Sequence, residues 1–197
     1  MTDVPLSCSC GKVQGQAHKV SPVSGTRIVC YCDDCQAFAR FLGRETEILD
    51  EHGGTDIYQL TPAQLEISHG VELLRSLRLT PGGLLRWYCD CCKTPVGNTF
   101  SAGLPVVGLV HSFMGDKTRR SLNLGPVRSY VMGKYAKGTP PARPLHKGFP
   151  LRLLLRVMPR ALVNRLLGRH RPTPFFTAEG QPVSEPLIVS EQKQPAS

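Results

Sequence analysis

The chain has 197 residues, 41% hydrophobic and 20% charged, which is ordinary globular composition and excludes a disordered or collagen-like polypeptide. At this length one domain with appendages can bury a sizeable core without disulfide staples. The net charge of +9 is uneven: residues 1–110 carry net −2, residues 111–172 net +13 and residues 173–197 net −2, so overall basicity gives no argument for nucleic-acid binding.

The start, "MTDVPLSCSCGK", has no basic region leading into an apolar one, so a secretory signal is not expected and a cytoplasmic protein is. No uncharged apolar run is long enough to predict a spanning helix. Residues 6–31 hold β-branched runs separated by turn formers, such as "GKVQGQAH" and "GTRIVCYC", and predict strands in a meander. After Cys32, "DDCQAFARFLG" predicts a short helix stopped by Gly43, with Asp33 and Asp34 as capping residues. Residues 43–54 read as a loop. "TDIYQL" at 55–60 and "QLEISHG" at 64–70 predict strands split by Pro62. "VELLRSLRLTPGGLLRWYC" predicts a hairpin turning at Thr80–Gly83, with Trp87 in its core, and "LPVVGLVHSF" a further strand. The "TPGG" turn is not a phosphate cradle, because no Lys-Ser/Thr follows it.

Near Gly115 the chain turns Gly-, Pro- and Arg-rich. "FPLRLLLRVMPRALVNRLLGRH" predicts short helices, the second starting at Pro159 and stopping at Gly168. "PFFTAEGQPVSEPLIVS" predicts a last hairpin or edge strand, and "EQKQPAS" a disordered tail. The expected organisation is a β domain over 1–115, a basic extension over 116–172 packing on it, and an edge hairpin with tail over 173–197. The fold class expected is mainly β (α+β). No internal repeat is visible.

The eight cysteines are Cys8, Cys10, Cys30, Cys32, Cys35, Cys89, Cys91 and Cys92. An even count invites disulfides, but the thiols sit at one- and two-residue spacings without a secretion signal, which suits metal better. In a strand, residues i and i+2 face the same way, so Cys8 with Cys10 and Cys30 with Cys32 can each offer two thiolates to one ion. Cys89 and Cys92 have the C-x-x-C spacing of a zinc knuckle. Cys8, Cys10, Cys89 and Cys92 therefore make one closed site, with Cys91 pointing away. Cys30, Cys32 and Cys35 make either an open three-thiolate site or, with Cys91, a second closed one.

The motifs "CSCG" (8–11), "CYCDDCQ" (30–36) and "CDCCKTP" (89–95) resemble those of the glutathione-dependent formaldehyde-activating family, which includes a centromere-protein-V branch. The resemblance covers about residues 6–115 and matches seven cysteines in order and spacing. Tyr31 stands where that family usually carries His, and Lys93 where Gly commonly follows the last cysteine; Gln36 fits. The resemblance implies a β-tent zinc fold. It implies a structural zinc on Cys8, Cys10, Cys89 and Cys92, and a second zinc on Cys30, Cys32 and Cys35 where a thiol such as glutathione binds. The activity it implies is carbon–sulfur lyase chemistry on a glutathione–aldehyde adduct. Arg40, Arg44 and Arg128 are candidates for meeting glutathione's carboxylates.

The six histidines show no helix-face ligand spacing and read as surface or core residues, and Tyr31 as packing beside the metal loop. The basic segment 143–171 offers a second class of function, a non-catalytic zinc module engaging a partner protein or membrane surface. Its plainer reading is a helical cover with arginines outward. No aromatic residues are interleaved with its arginines, which argues against nucleic acid.

Overall fold

The computed structural model describes residues 1–115, 118–138 and 145–189, so the expected tail and Arg143 lie outside the described residues. In chain order the strands and helices are β1 (Thr2–Ser7), β2 (Gln14–Val20), β3 (Thr26–Cys30), α1 (Asp33–Phe41), α2 (Glu45–Ile48), β4 (Thr55–Leu60), β5 (Leu65–His69) and β6 (Leu74–Arg78). They continue with β7 (Leu85–Cys89), β8 (Pro95–Thr99), β9 (Val107–Val110), α3 (Arg120–Leu124), β10 (Ser129–Val131), α4 (Leu151–Leu166) and β11 (Leu187–Ile188). The architecture is mainly β with a few helices.

Two sheets form. The smaller has the order β1-β2-β5; the larger runs β10-β3-β4-β9-β8-β7-β6-β11. Its pairs are antiparallel except at the edges, where β10 joins β3 and β11 joins β6 in parallel. Strand β2 alternates through Gly15 and Ala17, which face inward, and the bulge at Lys19 then brings Val20 to the same face. Gly15 is required there: a Cβ would stand 2.0 Å from the Glu66 carbonyl oxygen across the β2–β5 pair. Register between β1 and β2 shifts opposite Asp3, with Lys19 at φ 53. The Asp3 carboxylate fixes this bulge, accepting from the Lys19 amide at 2.9 Å and contacting His18 at 3.0 Å.

The large sheet is covered on both faces, which is why every residue of β7 is buried. Leu85, Trp87 and Cys89 point into the core shared with the small sheet, where they meet Val4, Leu6 and Ala17. Tyr88 points the other way, toward Phe38 and Ala39 of α1 and the Leu42 that follows it. Arg86 shares that second face and lies under the Phe38 ring, 5.6 Å from its centroid. Phe175 stacks on Trp87 with centroids 4.9 Å apart, and Phe176 meets it edge-on. The segment read as an edge element therefore also plugs the main core, while Leu187–Ile188 forms the edge strand on β6.

Local expectations fare unevenly. The hairpin at Thr80–Gly83, the strands split by Pro62 and the helix stopped at Gly43 are as read. The loop 43–54 contains α2, and β8 was not read at all. The two short basic helices are one, since α4 runs through Pro159. Pro159 is exposed and would have bonded back to Leu155, also exposed, so the freed carbonyl stays with water.

Candidate metal centres

The first centre to consider arises where β3 hands over to α1. Cys30 ends the strand, Cys32 caps the helix and Cys35 lies in its first turn. The cap is the Cys32 thiol, not an aspartate: its Sγ accepts from the Cys35 amide at 3.3 Å. The helix N-terminus favours negative sulfur at this place. The three Sγ atoms lie within 4.8 Å of one another, with Cys30 and Cys35 buried. Neighbouring groups hold the loop. Gln36 donates to the Tyr31 and Tyr135 carbonyls, and the buried Tyr31 hydroxyl donates to Asp50 at 3.2 Å.

Arg86 reaches this site from β7. Its side chain is only 2% exposed. One terminal nitrogen lies 3.7 Å from Cys35 Sγ and 3.4 Å from Asn98 Oδ1; the other lies 3.3 Å from Asp34 Oδ2. Hydrogen bonds from Cys30 and Cys32, then the Arg86 charge, hold the Cys35 thiol well below its ordinary range. Cys30 is pushed up, chiefly by donating to Cys32 and Cys35. Three clustered thiols beside a buried guanidinium form a soft donor set that suits zinc. A divalent ion with three thiolates leaves one net negative charge, which Arg86 offsets. The residues present therefore fit a metal ion at this place.

A cavity of about 360 Å³ opens beside these thiols. Ile28, Ile57, Leu104, Val106 and Met132 form its apolar wall.

The second centre joins the turn after β1 to the turn between β7 and β8. The Cys8 carbonyl accepts from Gly11 and the Cys89 carbonyl from Lys93, closing both turns. The Thr94 hydroxyl ties the turns together, accepting from the Ser9 amide at 3.1 Å and contacting Cys92 Sγ at 3.1 Å. Four thiols gather here: Cys8, Cys10, Cys91 and Cys92. Their Sγ separations include 3.6 Å (Cys8–Cys10), 4.0 Å (Cys8–Cys91), 3.3 Å (Cys10–Cys91) and 3.8 Å (Cys91–Cys92). Four sulfurs bound tetrahedrally at zinc distances stand about 3.8 Å apart, so the donor set matches a closed site. Burial raises the Cys92 thiol, but hydrogen bonds from Ser9, Thr94 and backbone amides outweigh it and bring it to about 5.

The sequence reading places Cys89 in the four and Cys91 facing away; in the fold Cys91 stands within the mutually close group and Cys89 lies behind it, against Cys8. Cys89 shares the inward face of β7 with Trp87, and its fully buried thiol backs onto Cys8. Cys91 sits at the exposed tip of the turn.

Other candidates fall elsewhere. Arg44 bonds the Cys92 carbonyl at 2.5 Å and Glu47, Arg128 donates to the Pro22 carbonyl, and Arg40 is exposed; none of them lines the cavity. Arg86, which the sequence reading passes over, is the cation at the site among the described residues. Its only sequence signal is a charged residue between Leu85 and Trp87 in an otherwise apolar strand.

No curated protein matches the chain. A crystal structure of a Rhodobacter sphaeroides protein is 17% identical with a TM-score of 0.43, covering 64% of this chain and 99% of that one. The family model DUF6151, described as a family of unknown function, matches residues 1–186. That span takes in both cysteine centres, the cavity and α4, and the chain belongs to the DUF6151 family.

Proposed function

We propose that the chain is a zinc-dependent enzyme of the carbon–sulfur lyase class with the β-tent fold of the glutathione-dependent formaldehyde-activating family. In this reading Cys8, Cys10, Cys91 and Cys92 hold a structural zinc, and Cys30, Cys32 and Cys35 hold a second at which glutathione or another thiol reacts. The seven cysteines matching that family's motifs and the mainly β architecture support the fold. The observation that carries the activity is the three-thiol centre, with its buried Arg86, opening on a cavity.

A zinc ion held by Cys30, Cys32 and Cys35 would supply the Lewis acidity that eases deprotonation of a thiol. The chain's own residues set the rest. Cys32, fixed as helix cap, and Cys35, fixed by Arg86, keep the donor set from collapsing. Arg86 offsets charge when an anionic sulfur approaches. In the reaction the thiol sulfur bonds to an aldehyde carbon, the carbonyl pair moves to oxygen, and the proton lost by the thiol ends there as a hydroxyl. The reverse cleaves the carbon–sulfur bond. Exchange between formaldehyde, a thiol and their hydroxymethyl adduct, followed by NMR, tests this. Acceleration that disappears in Cys32→Ser supports the reading; identical rates with and without the protein contradict it.

A second reading has its own observation. On α4, Leu151, Leu155, Met158, Leu162 and Leu166 are all exposed and form one stripe, opposite the face that buries Leu153, Ala161 and Asn164. Arg152 and Arg156 lie along its flank, and residues 145–172 carry seven Lys/Arg and no Asp/Glu. An outward apolar stripe with basic flanks suits the surface of an anionic membrane. Among the described residues no helix is long and apolar enough to cross one.

A further inference from the structure

The cavity beside Cys30, Cys32 and Cys35 is selective in its chemistry. Its wall is aliphatic, and its rim adds Leu84, Phe100 and Phe149, all exposed. Large apolar side chains left in water around an apolar hollow mark a ligand-binding surface. Among the described residues Arg86 is the one cation on the lining, and it already serves Cys35, Asp34 and Asn98. The lining carboxylates, Asp33 and Asp34, stand beside the thiols. Gln59 Oε1 is buried on the wall without a hydrogen-bond donor among the described residues.

Glutathione has two carboxylates and one ammonium group. Bound here, its carboxylates would face Asp33, Asp34 and the cysteine sulfurs with no unengaged cation on the lining among the described residues. Burying such charges unpaired is costly. A thiol on an apolar body meets no such cost: its sulfur faces the cysteine centre and its body fills the aliphatic wall.

We propose that the ligand of this cavity is an alkyl or aryl thiol, or its hydroxyalkyl adduct with a carbonyl compound, and not glutathione. The inference rests on the thiol-site reading above and narrows it. Arg86 is a positioning residue in it, matching charge at the cysteines and not gripping a substrate carboxylate.

The test is calorimetric titration of the zinc-loaded full chain with phenylmethanethiol and with glutathione, with zinc counted in parallel. The expected result is binding of phenylmethanethiol at least about tenfold tighter than glutathione, a gap of roughly 1.4 kcal/mol. Phe100→Ser and Phe149→Ser change exposed rim residues, so folding is preserved; each is expected to weaken phenylmethanethiol several-fold and leave zinc content unchanged. Glutathione binding as tightly, or phenylmethanethiol failing to bind, overturns the inference. In the first case the thiol-site reading still stands. Zinc content unaffected by Cys32→Ser overturns both.

Discussion

The guanidinium of Arg86 lies 3.7 Å from the sulfur of Cys35, across more than fifty residues of sequence, with its side chain almost wholly removed from water. A buried cation needs an anion: the Asp34 carboxylate at 3.3 Å supplies one, and the Cys35 sulfur stands beside the same guanidinium.

Arg86→Leu removes the offsetting charge while keeping an apolar body under Phe38. Zinc at the three-cysteine centre should weaken by about 10–100-fold, the usual scale for losing an outer partner of a metal ligand. Arg86→Lys should recover part of it. Competition against a chromophoric chelator measures both; an unchanged affinity in Arg86→Leu contradicts the role assigned.

Phe175 belongs to the core although it follows the basic segment in sequence. Its stacking on Trp87 and full burial predict that Phe175→Ala costs about 3–5 kcal/mol in urea unfolding. A cost typical of a surface change would show that residues 173–189 are dispensable packing.

His18 bridges Asp3 and Glu66, each at 3.0 Å, and hydrogen bonding to Asp3, then Glu66, raises its pKa. A histidine whose folded pKa is raised contributes its full stability below the ordinary value of about 6.5. The contribution disappears as pH climbs through the folded value. The urea midpoint of the wild type relative to His18→Gln should therefore shrink from pH 5.5 to pH 8 (both values roughly bracketing the ordinary histidine range). A difference that grows with pH contradicts the assignment.

The outward stripe of α4 predicts sedimentation with phosphatidylserine vesicles and weak association with neutral ones. Leu155→Ser with Leu162→Ser should abolish it at unchanged zinc content, because both leucines are exposed in the fold. High salt should weaken binding through the arginines. Equal binding of wild type and double variant removes the membrane reading.

What the sequence disclosed follows from how local each feature is. The three thiols of "CYCDDCQ" are brought together by one strand–turn–helix, so spacing alone brings them out. The hairpin at Thr80–Gly83 is likewise written in its turn residues. The places of Cys89 and Cys91 are harder to read, because a C-x-x-C spacing does not say which way a strand's last residue faces; in the fold Cys89 lies inward beside Trp87 with its thiol against Cys8. Arg86 escaped notice because a lone arginine in a strand normally meets water, and only the docking of α1 on that face buries it. Strand β8 is hidden by Pro95, Gly97 and Asn98, residues that read as turn until β7 and β9 flank them. Pro159 suggested a helix boundary, but α4 tolerates it on its wet side.

Zinc stoichiometry measured across four chains tests the central claim most directly. Wild type should hold two ions, one per cysteine cluster, and Cys32→Ser one. Cys91→Ser should lose the ion of the four-thiol centre, whereas Cys89→Ser keeps both. A wild type and Cys32→Ser of equal zinc content would contradict the account.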